Sequence, residues 1–288
     1  MKVIHLNRSN RKNRMNEAKP CVMALGFFDG VHLGHQEVIK SAKREADKRN
    51  LPLVVMSFFP HPKEVLSKED KLFPYLIPQE KKQEKLAELG VVIYYLVHFD
   101  KEFAVLPPDE FVKKYLLDFG AVIVVAGFDF TYGCNGKGHM ERMNSDSNGL
   151  LDVIRVGKIE FTGEKISSTM IRNLIFSGKV KQIPFFLGEP YQMKGTVLLN
   201  KEDMNVLISP FYLLPPPGRY KVIVSNGFRT CQLEAIIHNE QLILNLPEKE
   251  DSPFSNNEVI SIVWEEKLTN EYATSFDQRK SPLTPIRS

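Results

Sequence analysis

The stretch Gly26-Phe27-Phe28-Asp29-Gly30-Val31-His32-Leu33-Gly34-His35 restricts this chain more than any other. An apolar run, Cys21–Leu25, leads into it and a helical pattern leaves it. Strand, glycine-rich turn, helix start is the order in which an α/β protein presents backbone N–H groups to a phosphate. Neither common phosphate loop is present: the spacing is not G-x-G-x-x-G, and there is no G-x-x-x-x-G-K-[ST]. Instead, His32 and His35 stand three positions apart with Gly34 between them. Glycine lets backbone approach a ligand closely, and imidazoles donate hydrogen bonds to phosphate oxygens. Zinc binding is a competing use of two such histidines, but no Cys or Glu cluster lies nearby to complete a tetrahedral site. The plainer alternative, surface histidines at a helix start, leaves the flanking glycines and apolar strand unexplained.

Four short apolar runs alternate with helical patterns: Cys21–Leu25, Leu53–Phe58, Val91–Val97 and Ala121–Ala126. They are rich in β-branched residues, as strands buried on both faces should be. Helices are expected over Gln36–Arg49, Pro78–Leu89 (ended by Gly90), Pro107–Leu117 (with Gly120 after it), Met170–Ser177 and Val180–Leu187. A fifth strand is expected at Asp152–Val156. The alternation predicts a doubly wound, mainly parallel sheet of Rossmann-like α/β class, whose ligands bind at the carboxyl ends of the strands. From about Gly188 the pattern changes to short alternating strands: Lys194–Leu199, Val206–Leu214, Tyr220–Val224, Thr230–Ile237, Leu242–Leu246 and Val259–Glu266. That series predicts a small antiparallel sheet or barrel. The expected domains are therefore 1–187 and 188–288, with Asn270–Ser288 a polar short helix or tail.

The 288 residues carry a net charge of +3, too mild to call for nucleic acid and suited to an anionic small molecule. Cys21, Cys134 and Cys231 are scattered, forming neither a disulfide framework nor a metal knuckle, so a reducing, cytoplasmic setting is expected. No apolar run approaches a membrane span, and the N-terminus lacks a signal-peptide pattern. The basic stretch Arg8–Arg14 reads as a solvated loop rather than an RNA-attracting patch. Nothing in the chain sets an oligomeric state or a metal ligand set.

His32-Leu33-Gly34-His35 resembles the H-x-G-H signature of the nucleotidylyltransferase superfamily. The fuller Gly-x-Phe-Asp-Gly-Val-His-x-Gly-His resembles the bacterial FAD synthetases (riboflavin kinase/FMN adenylyltransferases). Three further stretches fit that family in order. Phe58-Phe59-Pro60-His61-Pro62 resembles its Phe-x-Pro-His-Pro segment. Gly127-Phe128-Asp129-Phe130-Thr131-Tyr132-Gly133, followed by Asn135-Gly136-Lys137-Gly138, resembles its flavin loop. Ile166-Ser167-Ser168-Thr169-Met170-Ile171-Arg172 resembles its Ile-Ser-Ser-Thr-x-Ile-Arg segment. The resemblance covers about the first 187 residues and implies an enzyme that joins ATP and FMN into FAD and pyrophosphate.

Adenylyl transfer asks little covalent help. The FMN phosphate is already a nucleophile, so it needs alignment with the ATP α-phosphate and neutralisation of the departing pyrophosphate. His32, His35 and Arg172 are the expected catalytic residues. ATP is expected at Gly26, Phe27, Phe28, Asp29, Gly30, Gly34, Ser167, Ser168, Thr169 and Arg172, with Mg²⁺ as its cation. Arg172, whose planar fork suits phosphate, pairs with Ser168 and Thr169 at the β- and γ-phosphates. FMN is expected at Phe58, Pro60, His61, Pro62, Asp129 and Phe130, the last offering a face to the ring. Simpler roles accompany each assignment. Ser167–Thr169 can cap a helix, Arg172 can form a salt bridge, Pro-His-Pro can be a stiff loop, and Phe130 can be core. Asp29 can fix its turn or help place Mg²⁺, the turn being the commoner use of Asp-Gly.

The chain departs from the family pattern at Phe27, where Asn is usual, and mildly at Tyr132, where Phe is usual. The larger departure is C-terminal. The family's kinase barrel carries a segment like Gly-Arg-x-Leu-Gly-Phe-Pro-Thr-x-Asn; the equivalent stretch here, Gly195–Val206, has one glycine and no Pro-Thr pair. Leu214-Pro215-Pro216-Pro217-Gly218-Arg219-Tyr220 still resembles the turn that follows. The expectation is an FAD synthetase whose barrel lacks riboflavin kinase chemistry. The alternatives are a bifunctional kinase/synthetase, a nucleotidylyltransferase with another phosphorylated acceptor, or a non-catalytic flavin or nucleotide sensor.

Overall fold

Buried strands and glycine-terminated helices alternate through the first part of the chain as expected, and a closed barrel follows. The computed structural model describes residues 1–67, 73–200, 204–245 and 252–268. The expected tail over 270–288, the end of the expected strand at Leu246, and residues 201–203 of the altered kinase segment lie outside the described residues. The chain divides into two compact units: Met1–Leu174 with Ile183–Glu189 and Pro210–Leu213, and Ile175–Gln182 with Pro190–Ser209 and Leu214–Ser288.

The first unit is built on six parallel strands: β1 (Lys2–Leu6), β2 (Cys21–Leu25), β3 (Leu53–Phe59), β4 (Ile93–His98), β5 (Ala121–Gly127) and β6 (Asp152–Val156). Their order is β1-β4-β3-β2-β5-β6, every neighbour parallel. All five residues of β2 are buried, which is why its sequence is apolar without alternation. Beyond β2 the chain works outward through β3 and β4, then returns to place β5 on the other side of β2. The crevice at the carboxyl ends of β2 and β5 is therefore the topological switch point, where open α/β sheets bind ligands. Helix α1 (Leu33–Arg49) packs on β2 and β5 through Val38, Ile39, Ala42 and Ala46, one stripe of its surface. Helix α2 (Gln79–Glu88) ends at Gly90, whose φ of +83° closes the turn. Helix α3 (Ser168–Phe176) follows the sheet.

The structure departs from the sequence reading in several details, the expected helix over Val180–Leu187 among them, which is a 3₁₀ turn (Val180–Gln182) and a separate α turn (Pro184–Leu187). Lys2–Leu6 is a strand pairing with β4, although its short alternating pattern gives no sign of the partner. Arg8–Arg14 is not simply a loop: a one-turn helix spans Arg11–Met15, and Arg11 bonds the Lys114 carbonyl (3.1 Å) and Asp118 (3.0 Å). The helical pattern over Pro107–Leu117 breaks into an α turn (Pro108–Phe111), a π turn (Val112–Leu116) and a 3₁₀ turn (Leu117–Phe119).

In the second unit β7 (Gln192–Leu199), β8 (Met204–Ile208), β9 (Gly218–Ser225), β10 (Thr230–His238), β11 (Gln241–Asn245) and β12 (Val259–Lys267) close into an antiparallel barrel of order β7-β8-β11-β10-β9-β12. The second of these strands stops at Ile208, short of the expected Leu214, because Pro210 cannot donate to a ladder. Tyr220, Val222, Leu233, Ala235, Ile260, Ile262 and Trp264 are buried, filling the interior with alternate side chains from several strands.

Candidate active site

Between β2 and α1 the backbone makes a tight reversal. Phe28 (φ 50°), Gly30 (φ 82°) and Val31 (φ 47°) all take left-handed conformations. At Gly30 a Cβ would lie 2.8 Å from Leu76, so both conformation and space require glycine there. His32 caps α1: its Nδ1 accepts the His35 backbone N–H at 3.2 Å. An accepting Nδ1 leaves the ring proton on Nε2, so His32 offers one N–H outward. The His32 and His35 rings stack, with centroids 3.5 Å apart and planes within 16°. Gly34 permits that stack, because a Cβ there would press on the His32 ring at 3.2 Å. Burial lowers the His32 pKa to about 3 and holds His35 well below its ordinary value. Both imidazoles are thus neutral hydrogen-bonding groups in this chain, not cations.

Asp29 lies beneath the loop with 3% of its surface exposed. Its carboxylate accepts the Leu76 N–H (3.0 Å) and pairs with Arg172. Burial pushes its pKa up, against the opposing pull of Arg172 and Lys82. Both carboxylate oxygens are bound within the protein, to partners distant in the chain rather than to the backbone of its own turn. Arg172 donates from Nε to the Pro74 carbonyl (2.7 Å) and lies 4.5 Å over the Phe73 ring. Two of its five N–H groups are used in these bonds. Ser168 Oγ donates to the Asp29 carbonyl (2.9 Å), and Ser167 Oγ caps α3 by accepting the Met170 N–H (3.2 Å). Thr169 is exposed at the same helix start.

At the end of β3, His61 caps the turn Pro62–Leu66 by accepting the Lys63 N–H at 3.1 Å. Its ring stacks on Phe73 (3.7 Å) and lies 4.9 Å from Phe27. Tyr75 Oη accepts the His61 N–H at 2.7 Å and donates to Glu64 at 2.9 Å, fixing the Pro60-His61-Pro62 turn. Phe27 packs on Phe58 and His61. At the end of β5, Asp129 pairs with Lys165, which also lies 4.7 Å over the Phe128 ring. Phe130 is half-buried and stacks on Tyr132. Ser168 and Arg172 at the start of α3 bond the carbonyl and carboxylate of Asp29 in the β2 loop. Lys165, just before α3, pairs with Asp129 at the end of β5. These three ends therefore converge beside His32, on which Asp129, Lys165 and Arg172 act electrostatically. Phe28 and Phe58, both expected at the ligand, are 1% and 5% exposed and belong to the core.

The sequence reading missed two side chains. Lys82 and Lys85 on α2 are buried, and donate to the carbonyls of Phe27 (2.9 Å) and Gly30 (3.3 Å). Both share one helix face with Leu86, which is wholly buried, a spacing that the high charge of the helix masks in the sequence. Among the described residues there is no group of three or more His, Cys, Asp or Glu able to hold a metal ion.

A family model described as FAD synthetase matches residues 14–170. The chain is 39% identical over 230 residues to the bifunctional riboflavin kinase/FMN adenylyltransferase of Bacillus subtilis, covering 77% of this chain and 72% of that protein. It is 31% identical over 229 residues to an FAD synthetase of Listeria monocytogenes, covering 77% and 87%. A solved structure from Streptococcus pneumoniae, described as a macrolide-efflux protein, is 30% identical with a TM-score of 0.83, covering 93% and 91%. Among the described residues of the present chain no helix is long and apolar enough to cross a membrane.

Proposed function

The chain belongs to the FAD synthetase family, and we propose that it works as an FMN adenylyltransferase alone, with its chemistry in residues 1–187 and no riboflavin kinase activity. ATP and FMN are the substrates, and FAD and pyrophosphate the products. The observation that carries the assignment of residues is the set of contacts joining the β2 loop, the β5 loop and the start of α3 at the switch point, Ser168 and Arg172 on Asp29 and Lys165 on Asp129.

In this reading the triphosphate lies over the N-terminus of α1, where unpaired amides and the helix dipole favour an anion. The Nε2–H of His32 donates to a phosphate oxygen at the reacting centre. His35, stacked beneath, fixes the plane of that ring. The three Arg172 N–H groups not engaged by Pro74 and Asp29 take the β- and γ-phosphates, where charge accumulates as pyrophosphate leaves. The FMN phosphate attacks the α-phosphorus as the bond to the β-phosphate oxygen breaks, so no side chain need become covalently attached. Pro60, His61, Pro62, Asp129 and Phe130 border the flavin side. Mg²⁺ fits here as a partner of the ATP phosphates, since it keeps several waters and needs few protein ligands; when bound it neutralises charge on the triphosphate.

Loss of the kinase rests on the Gly195–Val206 stretch, which lacks the Pro-Thr pair and glycine-rich segment of the kinase loop. Here Gly195 pairs with Ile208 in the barrel wall, and burial of alternating side chains maintains that wall without a nucleotide. A cytoplasmic location is supported by three cysteines that are free thiols. Purified protein given ATP, Mg²⁺ and FMN should form FAD and pyrophosphate in equal amounts. Absence of FAD at every FMN concentration would remove the reading.

A further inference from the structure

From Phe27 to Val31 every carbonyl of the loop is hydrogen-bonded, four of the five by side chains outside it and that of Phe28 within it. The Phe27 carbonyl accepts from Lys82 Nζ and from Ser57 Oγ, both at 2.9 Å. The Phe28 carbonyl accepts the Val31 N–H at 3.2 Å. The Asp29 carbonyl accepts from Ser168 Oγ (2.9 Å), Gly30 from Lys85 Nζ (3.3 Å) and Val31 from Gln36 Nε2 (3.1 Å). A peptide unit is planar, so a carbonyl anchored on one side sends the following N–H to the other. Anchoring these oxygens in the protein turns the negative ends of the loop dipoles away from a ligand and leaves amide ends to face an anion.

The charges beneath the loop point the same way. The Asp29 carboxylate interacts with both Arg172 and Lys82, one anion against two cations. Lys85 has its own partner, Glu189, at 2.7 Å. Burying an ammonium costs far more than burying an apolar side chain. Leu86, on the same helix face, shows that an apolar residue is readily accommodated there. Lys82 has a hydrogen-bond partner in the Phe27 carbonyl, but its charge is in excess of what Asp29, already paired with Arg172, requires.

We propose that Lys82 is a positioning residue for the adenylyl transfer: acting through the Phe27 carbonyl, it holds the loop amides and a net positive potential toward the ATP triphosphate. Lys85 assists at the Gly30 carbonyl. The proposal rests on the assignment of this loop to ATP. Lys82 touches the loop and not the substrate, so its loss should appear in the use of ATP and leave the flavin side intact.

The test compares Lys82→Met and Lys82→Gln with the parent protein in FAD formation at varied ATP, beside FMN titration by fluorescence and a thermal melt. Lys82→Met should lower kcat/KM for ATP at least about tenfold, because small misplacement of a positioning group is costly, while the FMN Kd stays within about twofold. Lys82→Gln, which keeps an N–H donor for the carbonyl without the charge, should recover part of the loss. A cooperatively melting Lys82→Met with unchanged kcat/KM for ATP, or a loss confined to FMN binding, overturns the proposal. Where Lys82→Met does not fold, Lys82→Gln decides, since it removes the charge and weakens the donor to the same carbonyl. A fall in kcat/KM for ATP in that variant with the FMN Kd unchanged supports the proposal, and an unchanged kcat/KM refutes it. Failure of the parent protein itself to make FAD would count against the functional reading instead.

Discussion

Replacing Asp29 with Asn tests whether the loop is built around a buried ion pair. The Asp29 side chain is 5% exposed and that of its partner, Arg172, 12%. Asparagine is nearly the same size and can still accept the Leu76 N–H. Its amide cannot neutralise Arg172, and Lys82 loses the same countercharge. Removing one member of a buried pair costs about 3–5 kcal/mol, because the other charge stays buried and unpaired. Arg172 keeps the Pro74 carbonyl and the Phe73 face, which places this case at the low end, about 3 kcal/mol. For a unit of this size that corresponds to a fall in Tm of about 6–12 °C. Thermal unfolding at pH 7, followed by circular dichroism, reads it directly. The double variant Asp29→Asn/Arg172→Met should lose less than the sum of the two single variants, because the second change removes the stranded charge. A fall of under about 2 °C for Asp29→Asn, or strict additivity in the double variant, would refute the ion-pair argument.

Other expectations follow from the same geometry. His32→Ala and Arg172→Ala should each lower turnover by a factor corresponding to roughly 2.7–4 kcal/mol while FMN binding, followed by flavin fluorescence, changes much less. The two effects should not add fully, since Arg172 acts on His32. Stability should fall with acid: His32 and His61 are lowered to about 3 by burial and His35 well below its ordinary value. The unfolded chain therefore takes up protons below about pH 6.5 that the folded chain refuses. The stabilisation is complete above that pH and is lost progressively as pH drops toward 3, measurable as the urea midpoint against pH. Gly120→Ala should be strongly destabilising by the same urea titration, since a Cβ there would lie 2.2 Å from the Lys19 carbonyl at a φ of +76°.

The elements legible in the sequence are those specified by their own residues. β2 reads as a buried strand because all five side chains are apolar and all five are buried. α1 reads as a helix because Val38, Ile39, Ala42 and Ala46 recur on one face, and the structure extends it back to Leu33 because His32 supplies the cap. The antiparallel strands announced themselves by alternation, and Tyr220, Val222 and Val224 alternate inward as expected. What the sequence hid depends on distant partners. β1 is a strand because β4, some ninety positions later, pairs with it. Asp29 and Arg172 are 143 positions apart, so their pairing is visible only once the sheet has brought β2 and α3 together. Lys82 and Lys85 sit in a helix of high charge, where buried lysines look like solvated ones until the loop carbonyls are in place.

In the proposed reaction the flavin receives an adenylyl group and not a phosphoryl group. Two parallel incubations, with ATP labelled at the α- or at the γ-phosphorus, separate these chemistries when FMN and riboflavin are supplied in turn. With FMN, the α-label should enter FAD and the γ-label should leave as pyrophosphate. With riboflavin, no labelled flavin should form. Transfer of the γ-label to riboflavin would restore the bifunctional reading, and failure of the α-label to enter FAD would contradict the account at its base.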